Sequence, residues 1–242
     1  MFRSISRLAF LAVFSFFASV SGGLADNGVR ASFGGVSLYL PQPGDLCPVE
    51  DKGGANSLLY KHTRDLQQQA GNKLFAIWAD CPSLAAMNDG SLRDSLKNWV
   101  IIVGGMSGTP RSEVTFPDAT REQFIELMLQ AYPGIDLSNI EEQIDLEGIN
   151  ERYLGNPGAV SFGEMESLGV LAITDSVHAG IISRVGSSDS SGDNLVLNIS
   201  GSTLINGVIV HVYHYALYES KNSIDSLLSD SKYYSALLVN RN

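Results

Sequence analysis

Two apolar stretches near the end of the sequence, residues 195–205 and 208–218, flank the dipeptide Asn206-Gly207. Both are rich in Val, Ile, Leu and Tyr, the residues favoured in β-strands. Because Asn-Gly tolerates the positive φ angles of a two-residue turn, the pattern predicts a long β-hairpin. The second stretch is apolar on both faces at most positions, which predicts a central strand covered on both sides. We therefore expect a sheet centre here that leaves no room for a reaction.

The residues after this hairpin have the spacing of an amphipathic helix. Asn222 is its predicted N-cap, with Asp225 three residues later in the manner of a capping box. The apolar side chains that share one face of this helix are Ile224, Leu227, Leu228, Tyr234 and Leu238.

The preceding part of the chain mixes strand-like and helix-like patterns. Residues 55–70 predict a helix that ends at Gly71 and carries His62 on its apolar stripe. A flexible glycine-rich loop or a bulge is expected at 104–108, and two helices are expected within 116–151. The predicted strands are 36–40 (a half-buried edge), 73–79, 99–103, 168–174 and 179–185, the last two paired as a hairpin.

The first 25 residues have the features of a secretory signal peptide. Arg3 and Arg7 precede an apolar run at 8–20, and Gly23 and Ala25 are small residues suited to signal peptidase. The run is shorter than the ~20 residues that a spanning helix needs. We expect cleavage near Asp26 and a periplasmic or secreted protein with no stable membrane anchor, in which residues 26–242 form a single domain.

Charge narrows the classes of partner. Of the 16 Lys and Arg residues, Arg3 and Arg7 fall in the signal, which leaves 14 against 26 Asp and Glu in the mature chain. Such a balance repels phosphate backbones, so nucleic-acid binding is not expected. The segment from Glu122 to Glu151 contains eight acidic residues and no Lys or Arg. It is interpreted either as a solvated helical face or as a docking surface for a cationic partner or for loosely bound divalent metal.

In the second interpretation, Glu141, Glu142 and Asp145 form the partner-binding face. Reversing their charge would then abolish binding and leave the melting temperature nearly unchanged.

The mature chain contains two cysteines, Cys47 and Cys81. In an oxidising compartment an even pair favours a disulfide. The alternative, a redox or catalytic thiol, usually needs a Cys-x-x-Cys pair or a matched histidine, and neither is evident.

Residues with catalytic or metal-binding potential are few and scattered. His211 and His214 are three apart on a predicted strand, so they point to opposite faces and cannot share a metal ion. Ser107 lacks the Gly-x-Ser-x-Gly setting of a nucleophile elbow, because Thr109 stands where the second glycine belongs. Tyr213, Tyr215 and Tyr218 are typical of core and rim positions of a sheet. No catalytic, metal or cofactor-binding residues are predicted, and no cofactor is expected.

Three stretches resemble uncharacterised exported bacterial proteins: GVSLYLPQPGDLCPVED, GNKLFAIWADCPSL and LINGVIVHVYHYALYES. In such proteins a Leu-Pro-x-Pro-Gly-x-x-Cys segment precedes a helix, a strand ends in Ala-Asp-Cys, and an Asn-Gly hairpin precedes a terminal helix. The pattern is similar to the Mog1/PsbP-like fold, an antiparallel sheet between helices. The resemblance covers about a third of the chain. It implies that fold, a Cys47–Cys81 pair, and a binding or assembly role rather than catalysis.

The fold class expected from these patterns is α+β, a mainly antiparallel sheet flanked by helices in a single domain. The first functional hypothesis is a non-enzymatic exported module that binds a protein partner or assists assembly in the cell envelope. The alternatives are an exported hydrolase with dispersed catalytic residues, and a small-ligand binder with a cleft between sheet and helix.

Overall fold

A computed structural model describes residues 28–92, 96–132, 144–187 and 194–242. The strands in these ranges are β1 (Val29–Phe33), β2 (Val36–Leu40), β3 (Leu46–Pro48), β4 (Asn72–Asp80), β5 (Asn98–Ser107), β6 (Ser112–Glu113), β7 (Val160–Ile173), β8 (Val177–Ser187), β9 (Asn194–Ile205) and β10 (Val208–Leu217). The helices are α1 (Gly54–Gln69), α2 (Cys81–Asn88), α3 (Arg121–Ala131), α4 (Leu146–Leu154) and α5 (Lys221–Asn240).

One antiparallel sheet has the order β3-β4-β5-β10-β9-β8-β7, with β6 paired beside β5. β10 lies at its centre, between β5 and β9. The β9–β10 hairpin turns at Asn206 and Gly207, whose φ angles are 50° and 78°, so the predicted Asn-Gly hairpin is confirmed. Helices cover both faces of the sheet. The predicted single-domain α+β fold with a mainly antiparallel sheet is therefore confirmed.

Helix α5 and the β1–β2 hairpin cover one face of the sheet. Trp78 on β4, Ile102 on β5 and Val212 on β10 pack there against Tyr234 and Leu238 of α5. Each of these side chains is almost wholly buried. Fully burying one large apolar side chain contributes about 1.5–3 kcal/mol, so this layer is a main source of stability.

Helices α1 and α2 cover the opposite face, where Leu59 and Leu84 pack on Ile77, Ile101 and Val103. Helix α3 lies on the same side, because Tyr132 hydrogen-bonds to Ser200 (3.2 Å between the oxygens), which stands opposite Tyr213 in the register. Tyr213 and Tyr215 join this core at its margin. Tyr218 packs with a third cluster around Leu197 and Leu227, so all three tyrosines occupy the predicted core and rim positions.

Strand β5 is longer than the sequence indicates. The flexible loop or bulge expected at 104–108 is wrong, because β5 continues through Gly104 and Gly105 as far as Ser107, and both glycines pair in regular register with β4. A Cβ on Gly104 would lie 2.4 Å from Phe75 and 2.9 Å from Phe33. These two rings pack edge-to-face above the strand, with centroids 5.5 Å apart. Gly104 thus leaves space for the two aromatic rings. In the sequence alone, a glycine that is required for packing looks the same as a glycine in a loop.

Two other boundaries also differ from the prediction. The predicted N-cap Asn222 is wrong: α5 begins at Lys221 with Ser220 as N-cap, and the Ser220 N–H donates to Ser223 Oγ at 3.3 Å. The edge strand 36–40 exists as β2, but it pairs with β1 in a separate two-stranded sheet. Its alternate residues Leu38 and Leu40 are buried against the α5 face, as half-burial predicted.

Other predictions are confirmed or lie outside the described ranges. α1 and β4 match the helix and strand predicted at 55–70 and 73–79, and β7 pairs with β8 as a hairpin. In the acidic segment the described helices are α3 and α4. The signal peptide, Glu141 and Glu142 lie outside the described residues.

A disulfide joins Cys47 and Cys81, as predicted, across a sequence separation of 34 residues. Cys47 lies on β3 opposite Ala79 of β4, and Cys81 is the first residue of α2. The bond therefore anchors the short edge strand β3 to the end of β4.

Removing this cross-link is expected to destabilise the fold substantially. The double variant Cys47→Ser, Cys81→Ser should lower the free energy of unfolding by roughly 3–4 kcal/mol, because the open chain gains conformational entropy when it unfolds. Urea unfolding of the oxidised protein and the double variant measures this difference. A loss below about 1 kcal/mol would contradict the expectation.

The two adjacent glycines of β5 provide a matched test of the aromatic packing. Gly104→Ala should lower the free energy of unfolding by about 1–3 kcal/mol, because its Cβ overlaps Phe75 and Phe33. Gly105→Ala is the control, since the nearest atom to its Cβ, His211 Nε2, is 3.8 Å away. Equal urea midpoints for the two variants would show that Gly104 is not needed for this packing.

Candidate functional site

A cleft of about 480 Å³ opens between α5, the loop joining β2 to β3, and strands β4, β5 and β10. We refer to it as the α5 cleft. Its lining residues come from five separate parts of the chain: Pro43, Gly44, Asp45, Leu46, Asp80, Cys81, Pro82, Asn98, Val100, His214, Asp230, Tyr233 and Tyr234. The sheet centre that was predicted to leave no room for a reaction is therefore bordered by a cleft, which extends to β10 at His214.

His214 lies on the α5 side of β10 because alternation places it on the same face as Val212. Its side chain is 3% exposed. Among the described residues no group hydrogen-bonds to its buried Nε2. The ring packs edge-to-face against Tyr234, with centroids 5.8 Å apart. Burial, and then the neighbouring His178, lowers the pKa of His214 to about 3, so the ring is neutral at physiological pH.

Asn98 provides a second unpaired polar atom on the same wall. It begins β5 and stands opposite Ala216 of β10. Its Oδ1 is buried, and no hydrogen-bond partner for it lies within the described part of the chain. A buried polar atom without a partner costs about 1–3 kcal/mol, and such atoms are uncommon in native proteins. Two of them belong to residues that line this one cleft, which is why we take it as the candidate site.

Asp80 differs from His214 and Asn98 because both oxygens of its carboxylate accept hydrogen bonds within the protein. Oδ2 accepts from the backbone N–H of Ser83 at 3.0 Å, as the N-cap of α2, and Oδ1 accepts from the N–H groups of Lys97 (3.1 Å) and Asn98 (3.3 Å). Burial alone would raise the pKa of Asp80, but these hydrogen bonds outweigh it and lower the pKa. The ionised carboxylate fixes the ends of β4 and β5 where they form the cleft wall.

The rim of the cleft is acidic and carries an exposed aromatic ring. Asp45 on the β2–β3 loop and Asp230 on α5 are both exposed carboxylates. Partial burial raises the pKa of Asp230. Tyr233, also on α5, is 71% exposed, more than any other large apolar side chain in the described ranges. The opening therefore combines negative charge with a large aromatic surface.

The other histidines have hydrogen-bond partners. His178 lies between Ser231 and Thr174, at 3.0 Å and 3.1 Å, and His178 and Ser231 are fully buried. His211 Nδ1 is 2.8 Å from Oγ of Ser202, which is 2% exposed. Both serine–histidine pairs have a buried serine, so neither hydroxyl is available to a substrate.

His62 of α1 lies 2.9 Å from Asn150 Oδ1 of α4, which confirms the satisfied boundary histidine expected there. His211 and His214 occupy opposite faces of β10, also as predicted, since only His214 packs on the α5 side. Ser107 is exposed at the end of β5, where it pairs with Ser112 of β6.

Asp145 is the residue of the predicted acidic face that the structure describes. It is the N-cap of α4, where its Oδ1 accepts from the Gly148 N–H at 3.0 Å. Its own N–H donates to Gln69 Oε1 at 2.7 Å. It lines an open depression together with Arg111 and Arg152, so its surroundings are of mixed charge. Its position thus has a structural explanation in capping.

The described residues contain no group of three or more His, Cys, Asp or Glu side chains arranged to hold a metal ion. Both cysteines are in the disulfide and provide no thiolate. None of the helices in the described ranges is long and apolar enough to cross a membrane.

In comparisons with known proteins, no family model and no curated protein matches this chain.

No local pattern in the sequence indicates the position of the α5 cleft. Asn98, Asp45, Asp230 and Tyr233 belong to no recognisable motif, and the sequence suggests no role for His214 beyond metal binding. These residues come together only when α5 packs across the sheet. The one sequence signal was the placement of a histidine on the face of β10 that is otherwise apolar.

Buried neutral histidines make stability sensitive to acid. The pKa of His178 is lowered to about 4, by burial and then by Lys232, and burial lowers that of His211 to about 4. With His214, these rings take up protons in the unfolded chain near pH 6.5 but not in the folded protein until pH 3–4. The contribution of these neutral rings to the free energy of unfolding is therefore fully present above pH 6.5. It is lost as the pH falls towards 3–4.

The free energy of unfolding should consequently decrease between pH 6.5 and 5, approaching a slope of about 1.4 kcal/mol per pH unit for each histidine. Most carboxylates remain ionised in this window, so their contribution is smaller. Urea unfolding at pH 7, 6 and 5 measures the effect. A constant free energy across this range would contradict the burial of neutral rings.

Proposed function

We propose that this protein is an exported, non-enzymatic module that binds a protein partner in the bacterial cell envelope, and that the α5 cleft is its binding site. The observation that carries the proposal is the exposed ring of Tyr233 beside a cleft whose wall holds the unpaired polar atoms of His214 and Asn98. Exposed tyrosines and buried groups that gain a partner on binding are typical of interface hot spots.

Several features agree with an exported protein that binds a basic partner. The Cys47–Cys81 disulfide is the kind of cross-link that persists in oxidising compartments. The signal-like first 25 residues and the resemblance to exported Mog1/PsbP-like proteins favour the same location. The acidic balance of the chain favours a basic partner.

The second candidate is a small-ligand binder, which the same cleft favours because its volume lies in the range of about 300–1,000 Å³ that is common for ligand pockets. A protein partner fits better, because Tyr233 and Asp230 line the cleft and yet are largely exposed to solvent. A small ligand held inside would leave the Tyr233 ring largely in water.

Site-specific crosslinking tests the proposal. A photoreactive phenylalanine analogue at Tyr233 should give a discrete crosslinked protein in cells that make the full chain, because this ring lies at the proposed interface. The matched control is the same analogue at Leu127 of α3, which is 61% exposed on the opposite side of the sheet. Mass spectrometry of the crosslinked band identifies the partner.

Charge reversal at the rim provides the specificity control. Asp45→Arg should reduce the Tyr233 crosslink at least tenfold, whereas Asp118→Arg, an equally exposed carboxylate away from the cleft, should leave it unchanged. Equal crosslinking from positions 233 and 127, or no effect of Asp45→Arg, would refute the cleft as the partner site.

A further inference from the structure

We propose that the α5 cleft binds the guanidinium group of an arginine side chain that the partner inserts, an inference that rests on the proposed function. The unpaired Oδ1 of Asn98 is an acceptor on one wall, and the unpaired Nε2 of the neutral His214 ring is a second acceptor there when the ring proton is on Nδ1. The carboxylates of Asp45 and Asp230 lie at the opening. The ligand that matches such a site is a cation with several hydrogen-bond donors.

The number and placement of the acceptors favour arginine over lysine. A guanidinium carries five N–H donors in a planar fork, so it can serve acceptors on the wall and at the rim together. An ammonium group is a compact point charge that is more strongly hydrated. Because Asn98 Oδ1 and His214 Nε2 are buried, a cation that reaches them must lose water, and this costs guanidinium less.

Tyr233 contributes a second kind of contact. Its exposed ring stands at the rim beside Asp230 on the same helix. Arginine is the side-chain cation that most often stacks on aromatic faces. Partial burial raises the pKa of Asp230, and a cation bound beside it would lower that pKa again because it favours the ionised carboxylate.

Asp80 takes no direct part in this proposal. Its carboxylate already accepts three backbone N–H groups and holds Asn98 in place. It nevertheless adds a negative charge beside the wall. The depression that contains Asp145 is a weaker candidate for a cation site, because Arg111 and Arg152 also line it.

The test uses the purified full chain with ¹⁵N-labelled histidine and asparagine, titrated with the blocked tripeptide Gly-Arg-Gly. Matched probes replace arginine by citrulline, which has nearly the same shape without the charge, or by lysine. We expect saturable NMR shifts of the His214 ring nitrogens and the Asn98 amide with the arginine peptide. Affinity should be at least tenfold lower with citrulline and at least threefold lower with lysine.

Two variants separate binding from folding. Asp230→Asn should weaken arginine binding at least threefold, whereas Asp118→Asn should not change it. Asn98→Leu removes the unpaired acceptor at nearly constant volume, so it should abolish binding while the urea midpoint stays the same or rises. A purely structural role of Asn98 would instead lower the midpoint.

No saturable shift, equal affinity for citrulline, or equal affinity for lysine would overturn the arginine assignment. These outcomes are independent of the crosslinking result. If Tyr233 captures a partner but the arginine peptide causes no shift, the partner function stands and the arginine assignment is wrong. If the peptide binds but no crosslink forms, the chemistry of the cleft stands and the proposed function is wrong.

Discussion

The close packing of α5 on β9 at Gly201 determines much of this structure. A Cβ on Gly201 would lie 2.7 Å from Ser235 Oγ and 3.3 Å from Ser231 Oγ, so the helix approaches the strand with only small side chains between them. This contact fixes α5 above the sheet centre. From there Tyr234 reaches the β2–β3 loop, where its hydroxyl donates to the Pro41 carbonyl at 2.6 Å. The space left between this tyrosine and the strands is the α5 cleft.

Two histidines on the same face of the sheet illustrate how structural and functional polar groups differ. His178 and His214 are both almost fully buried, and the pKa of each is strongly lowered. His178 donates to or accepts from Ser231 and Thr174 and so connects β8 to α5. His214 has no comparable partner for Nε2 in the described ranges. His178 thus contributes to the specific packing of α5, whereas the Nε2 of His214 makes no such contribution.

The sequence predicts the parts of this fold that depend on local pattern. The Asn-Gly hairpin, α1, β4 and the cysteine pair follow from turn chemistry, periodicity and cysteine number. Features that depend on distant residues were missed. Gly104 has the appearance of a loop residue, yet it is a strand residue because Phe33 and Phe75 need its space. The cleft unites residues from Pro43 to Tyr234, and no spacing along the chain indicates that α5 would leave a gap there.

The order of the strands in the sheet has a consequence for how the chain reaches its folded state. β5 and β9 are adjacent to the same strand, β10, which comes after both of them in the sequence. The block β3-β4-β5 and the block β7-β8-β9 therefore cannot join until β10 is inserted between them. Such long-range strand pairing slows folding, and it delays the completion of the sheet. A nascent chain consequently remains two incomplete half-sheets until its last strand is made.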